Sequence, residues 1–135
     1  MPFLSLNKAS DPGAPDDLRI NSTSILYVEA SRPDLVGRTT IHVMGQGALV
    51  IAVDESIDVV VRAVADALAV DQSELLPATR HYLAPPPGSG PSTVFISPLN
   101  VSFLRPNLAA SPDCWVIRFI DGTELRVVHP LPGGL

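Results

Sequence analysis

Arginines are the side chains of this 135-residue sequence best suited to bind a ligand. The stretch WVIRFIDGTELRVV, residues 115–128, is typical of two strands joined by a tight turn, and each strand carries one arginine. A three-residue loop at 121–123 would keep the apolar side chains on one face, and it places Arg118 opposite Arg126. Like charges in that position repel each other. Because guanidinium groups bind phosphate or carboxylate with two hydrogen bonds, an anion would give the pair a role.

Three further residues could extend such a site. Arg105 stands at the end of a neighbouring predicted strand, and Arg80 and Tyr82 belong to the short run RHY. We predict that these three residues and the arginine pair bind a small anionic ligand. The alternative is that both arginines of the pair are solvated, with Glu124 near enough to relieve their repulsion and their stems lying on neighbouring valines.

The sequence shows no catalytic or metal-binding signature. Cys114 and His129 would be close across the C-terminal hairpin, but the alternation of the strands puts them on opposite faces, which argues against a Cys–His nucleophile. His42 has no partner at the spacing of a metal site. The run HVMGQG lacks the lysine and hydroxyl residue of a phosphate-binding loop. We therefore predict a protein that is not an enzyme and that uses no metal or cofactor.

Composition favours one globular domain. Apolar residues make up 46% of the chain, which is enough to form a hydrophobic core. A net charge of −5 without any basic run argues against nucleic-acid binding. The single Cys114 cannot form an intrachain disulfide. With neither a signal peptide nor an apolar run of about 20 residues, the sequence predicts a soluble, cytoplasmic protein that does not bind membranes.

Apolar periodicity predicts a mainly β (α+β) fold with one main helix. The run ESIDVVVRAVADALAV has apolar residues at helical spacing and predicts a helix over 57–68, with Asp54 or Ser56 as its N-cap. A short helical turn is predicted at Ser73, and residues 78–92 have the composition of a loop. Strands are predicted from the runs FLSLNKA, LRINSTSILYVEA (interrupted at NSTS), TTIHVMG, ALVIAVD, TVFIS, LNVSFLRP, CWVIRFI and ELRVV.

The second half of the chain repeats the apolar pattern of the first half at an offset of 76 residues. Ile41 falls on Ile117 and Leu49 on Leu125 without a gap. We therefore predict two related, antiparallel, three-stranded β units that form a meandering sheet or a barrel-like core within a single domain. The predicted organisation is a first unit with its helix at 1–70, a Pro/Gly-rich connection at 71–92 and a second unit at 93–135.

Both faces of the first predicted hairpin are largely apolar. Ile41 and Val43 lie on one face, and His42, Met44 and Val50 lie on the other. A strand pair of this kind must be covered on both sides. The helix can cover one side, and the second unit or another subunit must cover the other. We predict a homo-oligomer.

The first half of the chain resembles FlbD, a family of small flagellar proteins. The shared pattern is an initial strand, an Asn-containing strand that ends near ILYVEA, a hairpin, and VDES leading into a helix. The resemblance implies the fold of the first half and a structural or adaptor role. It transfers no functional residues. The loop at 10–17 and the whole second unit depart from the family's pattern.

Two functions are predicted from these observations. The first is a non-enzymatic, oligomeric, β-rich binding protein that sequesters a small anionic, nucleotide-like ligand. It rests on an architectural analogy with viral decoys that sequester nucleotide immune signals, which would suit a phage or bacterial source. The alternative, implied by the FlbD resemblance, is a structural or adaptor module that acts through protein–protein contacts.

Overall fold

The computed structural model describes residues 3–8, 16–30, 39–45, 49–81, 92–107, 114–128 and 135. These residues contain ten β-strands, one α-helix and three short 3₁₀ turns at Ser22–Ser24, Gln72–Glu74 and Pro98–Asn100. The strands and the helix are, in chain order, β1 Phe3–Lys8, β2 Asp16–Asn21, β3 Ile25–Ala30, β4 Thr39–Val43, β5 Leu49–Val53, α1 Ile57–Leu68, β6 Leu76–Arg80, β7 Ser92–Ile96, β8 Val101–Asn107, β9 Cys114–Phe119 and β10 Glu124–Val128.

The predicted fold class is confirmed: the protein is mainly β, its strands pair antiparallel, and it has one main helix. The strand order is β2-β1-β5-β4-β3-β7-β6-β10-β9-β8. Within the described residues, one pairing, Lys8 with Val53, joins β1 and β2 to the other eight strands. Within the described ranges β2 and β8 are the two edges, so the sheet is not a closed barrel. No helix in these ranges is long and apolar enough to cross a membrane.

The two halves of the chain share one strand order. The first unit, β1 to β5 with α1, has the order β2-β1-β5-β4-β3, and the second unit, β6 to β10, has the matching order β7-β6-β10-β9-β8. Each unit therefore contains five strands, whereas three-stranded units were predicted. In the second unit, the strand that no predicted run contains is β6, which lies within the predicted connection 71–92 and pairs with β7 along its whole length.

The strand β6 was not predicted because Pro77 and a weak apolar pattern argue against a strand. Pro77 is tolerated because the neighbouring β10 pairs with β6 only at Arg80, so no ladder hydrogen bond to β10 is lost at Pro77. The second unit thus begins at Leu76 rather than at residue 93.

A β-bulge occurs at the same place in both units. The β3–β4 pairing is irregular directly after the pair Ile25–Val43, and the β8–β9 pairing is irregular directly after the pair Val101–Phe119. These two pairs are related by the predicted offset of 76 residues. A bulge bends its strand and re-aims the side chains that follow, so β3 and β8 carry this feature at equivalent positions.

The same offset relates a backbone hydrogen bond next to each bulge. The N–H of Met44 donates to the carbonyl of Ser24 at 2.8 Å, and the N–H of Ile120 donates to the carbonyl of Asn100 at 2.9 Å. Both acceptors are the last residue of a 3₁₀ turn. The internal repeat therefore extends to the turns that precede β3 and β8.

The last strand of each unit departs from that offset. Ile41 pairs with Ile51, whereas Ile117 pairs with Leu125 rather than with Val127. Leu125 thus takes the place of Ile51, an offset of 74 (125 minus 51). The prediction of one offset for both hairpins is wrong in this strand. A difference of two residues preserves the alternation of faces, because side chains alternate with a period of two.

Two hydrophobic cores lie on opposite faces of the sheet. The first core packs Ile41 and Val53 against the buried face of α1, which includes Val60 and Val64. The helix begins and ends where the sequence predicts, with Ser56 as its N-cap. The second core belongs mostly to the second unit and comprises Leu26, Tyr27, Val94, Ile96, Ile117, Phe119, Leu125 and Val127.

The second unit, rather than α1, covers part of the other face of the first hairpin. Thr40 is buried, and the ring of His42 stacks on Tyr27 of the second core at 4.0 Å between centroids. Met44 also packs against that core, while Val50 is exposed. The hairpin therefore meets the second unit of its own chain near β3, and Val50 farther along β5 stays open to solvent.

Candidate functional site

The turn between β9 and β10 decides where the arginines lie. The N–H of Phe119 donates to the carbonyl of Thr123 at 2.8 Å, and the N–H of Gly122 donates to the carbonyl of Phe119 at 2.9 Å. The loop is therefore 120–122, one residue earlier than predicted. Gly122 is its third residue and has a φ of +92°. The predicted turn type fits. In such a loop the last residue takes the left-handed conformation, which only glycine adopts without strain, so Gly122 must be the third residue and not the second.

This displacement separates the predicted arginine pair. Arg118 lies opposite Glu124, and Arg126 lies opposite Val116. The prediction that Arg118 faces Arg126 is therefore wrong. The predicted faces are nevertheless correct. Moving both ends of the loop by one residue shifts the pairing by two residues, and a shift of two leaves each side chain on its predicted face.

Glu124 lies between two of the predicted arginines. Its Oε2 is 3.7 Å from Nη2 of Arg105 and 3.9 Å from Nη1 of Arg118. The guanidinium of Arg118 also lies 5.9 Å from the ring centroid of Phe103. We call these four side chains, Phe103, Arg105, Arg118 and Glu124, the arginine face.

The arginine face is open to solvent. The side chains of Arg105 and Arg118 are 55% and 46% exposed, and that of Glu124 is 37% exposed. Exposed ion pairs at such distances contribute little to stability. Two guanidinium groups and one carboxylate leave one positive charge beside an aromatic ring. An incoming carboxylate or phosphate would have to compete with Glu124 for the guanidinium groups.

Arg126 does not join these ion pairs. It is half-buried, and its Nε has no hydrogen-bond partner in the part of the chain that the structure describes. Its carbonyl accepts from the N–H of His81 at 2.9 Å. Tyr82, the next residue along and a predicted site residue, lies outside the described residues.

Arg80 lies on the opposite face of the sheet from Arg118. It pairs with Val127 on the side of the second core, and its Nη1 is 2.5 Å from Oε1 of Glu29. The same carboxylate oxygen is 2.8 Å from Nε2 of His42. We call Glu29, His42 and Arg80 the Glu29 cluster. It connects the first unit, which supplies Glu29 and His42, to β6 of the second unit.

Glu29 is buried and charged. Burial disfavours the carboxylate, but the hydrogen bond with His42 and the positive charge of Arg80 outweigh it and hold the pKa of Glu29 below its ordinary value of 4.5. General acid–base catalysis near neutral pH needs the opposite, a carboxyl pKa raised towards the operating pH. The Glu29 cluster therefore has the properties of a structural connection between the units.

Glu29 was not among the residues selected from the sequence. Its signal is a single carboxylate within the apolar run ILYVEA, on a strand with neighbours on both sides. A charge in such a strand requires a partner. Arg80 could not be assigned as that partner because it is 51 residues away, on the strand that composition concealed.

The described residues include no group of three or more histidine, cysteine or acidic side chains that could hold a metal ion. Cys114 is buried, and its suggested neighbour His129 lies outside those residues. A shallow apolar cleft of about 270 Å³ lies beside the end of α1, lined in part by Val70, Leu75, Pro98 and Leu99.

Comparisons with protein-family models, with curated proteins and with solved structures found no match to this chain. Its function is therefore inferred from the geometry described above.

Proposed function

We propose that this chain is a non-enzymatic structural or adaptor module that binds another protein through the edge of β8 and the adjoining arginine face. One observation carries the proposal. Tyr27 on β3 is 3% exposed, whereas Phe103, the residue at the same position on β8, is 46% exposed. The strand β7 lies beyond β3, while no described strand lies beyond β8.

The surroundings of β8 have the chemistry of a protein interface. Leu99 and Ile120 are exposed apolar side chains near its first residue, connected through the hydrogen bond from Ile120 to Asn100. Apolar residues that surround an unpaired strand edge favour pairing with another chain. Arginine and aromatic residues are enriched at protein interfaces. An added strand would gain backbone hydrogen bonds along the edge and side-chain contacts on the face.

A photoreactive phenylalanine analogue at position 103 of the full chain tests this proposal in the cells that express it. Val59 is the matched control position, because it is 49% exposed and lies on the helix α1 rather than on a strand. We expect discrete cross-linked adducts from position 103 and none from position 59. Equal cross-linking from both positions, or none from position 103, would contradict the proposal.

A second candidate function is the sequestration of a small anionic, nucleotide-like ligand at the arginine face. It is favoured by the two guanidinium groups that flank Glu124 beside the exposed ring of Phe103. If such a ligand replaces Glu124 as the partner of Arg118, Arg118→Ala should weaken its binding about 10- to 150-fold, and Glu124→Gln should strengthen it. Calorimetry with nucleotides and cyclic nucleotides measures both effects. Absence of binding to the wild-type chain would eliminate this candidate.

A further inference from the structure

We infer that the protein bound at the edge of β8 is a second copy of this chain, which pairs its β2 with β8 in a head-to-tail arrangement. The inference rests on the proposed function of that edge and names its partner. It is argued from a junction between two units that the chain already contains.

The junction between β3 and β7 is the template. It pairs Tyr27 with Ile96 and Glu29 with Val94, and the N–H of Ser97 donates to the carbonyl of Leu26 at 3.0 Å. In the shared strand order, β3 is the last strand of the first unit and β7 is the first strand of the second. One unit therefore already continues its sheet into the next unit within a single chain.

The two strands that form the edges of the described sheet are the counterparts of β3 and β7. β8 occupies in the second unit the place of β3, and β2 occupies in the first unit the place of β7. β8 also repeats the bulge of β3 and the 3₁₀ turn before it. A β2 strand from a second copy would therefore meet an edge shaped like the one that β7 meets.

The offset of 76 residues gives the register of this pairing. Adding it to Tyr27 and subtracting it from Ile96 places Phe103 opposite Ile20 of the second copy. By the same arithmetic Arg105 lies opposite Leu18 of the second copy. Phe103 would then have a strand beyond it, as Tyr27 has.

Among the described residues, none blocks either edge over this length. Pro106 cannot donate a ladder hydrogen bond, but it corresponds to Ala30, which lies beyond the paired residues of the β3–β7 junction. On the other edge, the helix α1 makes its main contacts with the sheet on β1 and β3. Pro106 would therefore limit the length of the pairing without preventing it.

Two single variants each disable one edge. Phe103→Asp places a charge at the centre of the β8 contact. The N–H of Ser97 points from β7 towards β3, and because N–H directions alternate along a strand, the N–H of Phe95 points towards β3 as well. Arg19 corresponds to Phe95, so its N–H points outward from β2. Arg19→Pro removes this N–H. Val59→Asp is the control, an exposed apolar residue of α1 changed in the same way. A circular dichroism spectrum that matches the wild-type spectrum confirms that each variant is folded.

Light scattering and native mass spectrometry then measure assembly. We expect the wild type and Val59→Asp to form multiples of the 14.3 kDa chain, as a closed ring or as a mass that rises with concentration. Each edge variant alone should be a monomer. A mixture of the two should form a 1:1 dimer, because the first retains an intact β2 edge and the second an intact β8 edge.

Three results would overturn the inference: a monomeric wild type, dissociation by Val59→Asp as well, or no dimer in the mixture of edge variants. Cross-linking from position 103 shows whether such a result contradicts only the pairing with a second copy or also the proposed adaptor function. A monomeric chain that still cross-links to a different protein would retain the adaptor role and exclude the second copy. A monomeric chain without adducts would contradict both.

Discussion

β3 and β8 follow the same plan but differ in what lies beside them. Both follow a 3₁₀ turn, both bulge after their first pair, and both form one side of a hairpin with the next strand. The other side of β3 is filled by β7, whereas no strand in the described ranges lies beyond β8. The sequence agrees with this difference, since buried Leu26 corresponds to exposed Ser102. The burial of a given position in this fold thus depends on the strand that lies beyond it.

The charged residues at equivalent positions show the same contrast. Glu29 on β3 is buried and shares one oxygen between His42 and Arg80. Arg105 on β8 is exposed and lies 3.7 Å from Glu124. Removing one partner from a buried ion pair leaves the other partner uncompensated. An exposed pair can replace its lost partner with water. Equivalent substitutions in the two units should therefore have unequal effects.

The largest predicted difference is between Glu29→Ala and Arg105→Ala. Glu29→Ala leaves Arg80 and His42 without their shared carboxylate and should reduce the free energy of unfolding by about 3 kcal/mol, near the lower limit for a buried pair because Arg80 is partly exposed. Arg105→Ala should change it by less than about 0.5 kcal/mol. Urea denaturation measures both values. A loss from Glu29→Ala as small as the one expected from Arg105→Ala would show that the Glu29 cluster does not stabilise the junction between the units.

Asn100→Ala and Ser24→Ala make the next comparison. The Nδ2 of Asn100 donates to the carbonyls of Thr23 and Ile25, both at 2.8 Å, and so connects the 3₁₀ turns of the two units. Its removal leaves these acceptors without that donor and should cost about 2 kcal/mol. Ser24 is its counterpart, and Ser24→Ala should cost less than about 0.5 kcal/mol. A small loss at Asn100 in urea denaturation would mean that water replaces the amide.

Acidification provides a smaller and more specific test of the Glu29 cluster. Because the pKa of Glu29 is lowered in the folded protein, its ionised form adds stability that is fully present above the unfolded-state pKa near 4.5 and is lost as the pH falls through the lower folded-state value. Glu29→Gln should flatten the decline in unfolding free energy below pH 4.5. Parallel declines in the wild type and the variant would show that other carboxyl groups dominate.

Much of the fold follows from local patterns in the sequence. The helix could be predicted because its apolar residues recur at helical spacing. The side chains of β9 in the second core could be predicted because Ile117 and Phe119 lie on either side of Arg118, although Val116 on the other face is buried as well. The position of the left-handed glycine in the last turn was harder to predict. The loop lies at 120–122 and not at the predicted 121–123. This difference of one residue places Arg118 opposite Glu124 rather than opposite Arg126.

The Glu29 cluster lay beyond such reasoning. Its members come from β3, β4 and β6, and the units that supply them are brought together by contacts such as the pairing of β3 with β7. No periodicity within one segment encodes a contact between residues 51 positions apart. Sequence reasoning selected Arg80 as a ligand-binding residue because its charge could add to that of the predicted arginine pair. The exposure of β8 could not be predicted from local patterns either, because it depends on which strands have neighbours in the sheet.

The smallest effect is predicted for Arg118→Ala, at the position equivalent to His42. Arg118 is 3.9 Å from Glu124, and both side chains are well exposed, so the free energy of unfolding should change by less than about 0.5 kcal/mol in either direction. His42→Ala removes a hydrogen bond to Glu29 and the stacking on Tyr27 and should cost about 2 kcal/mol. Urea denaturation of both variants against the wild type gives the comparison. A loss at Arg118 as large as that at His42 would mean that the arginine face is needed for folding and is not a surface kept available for a partner.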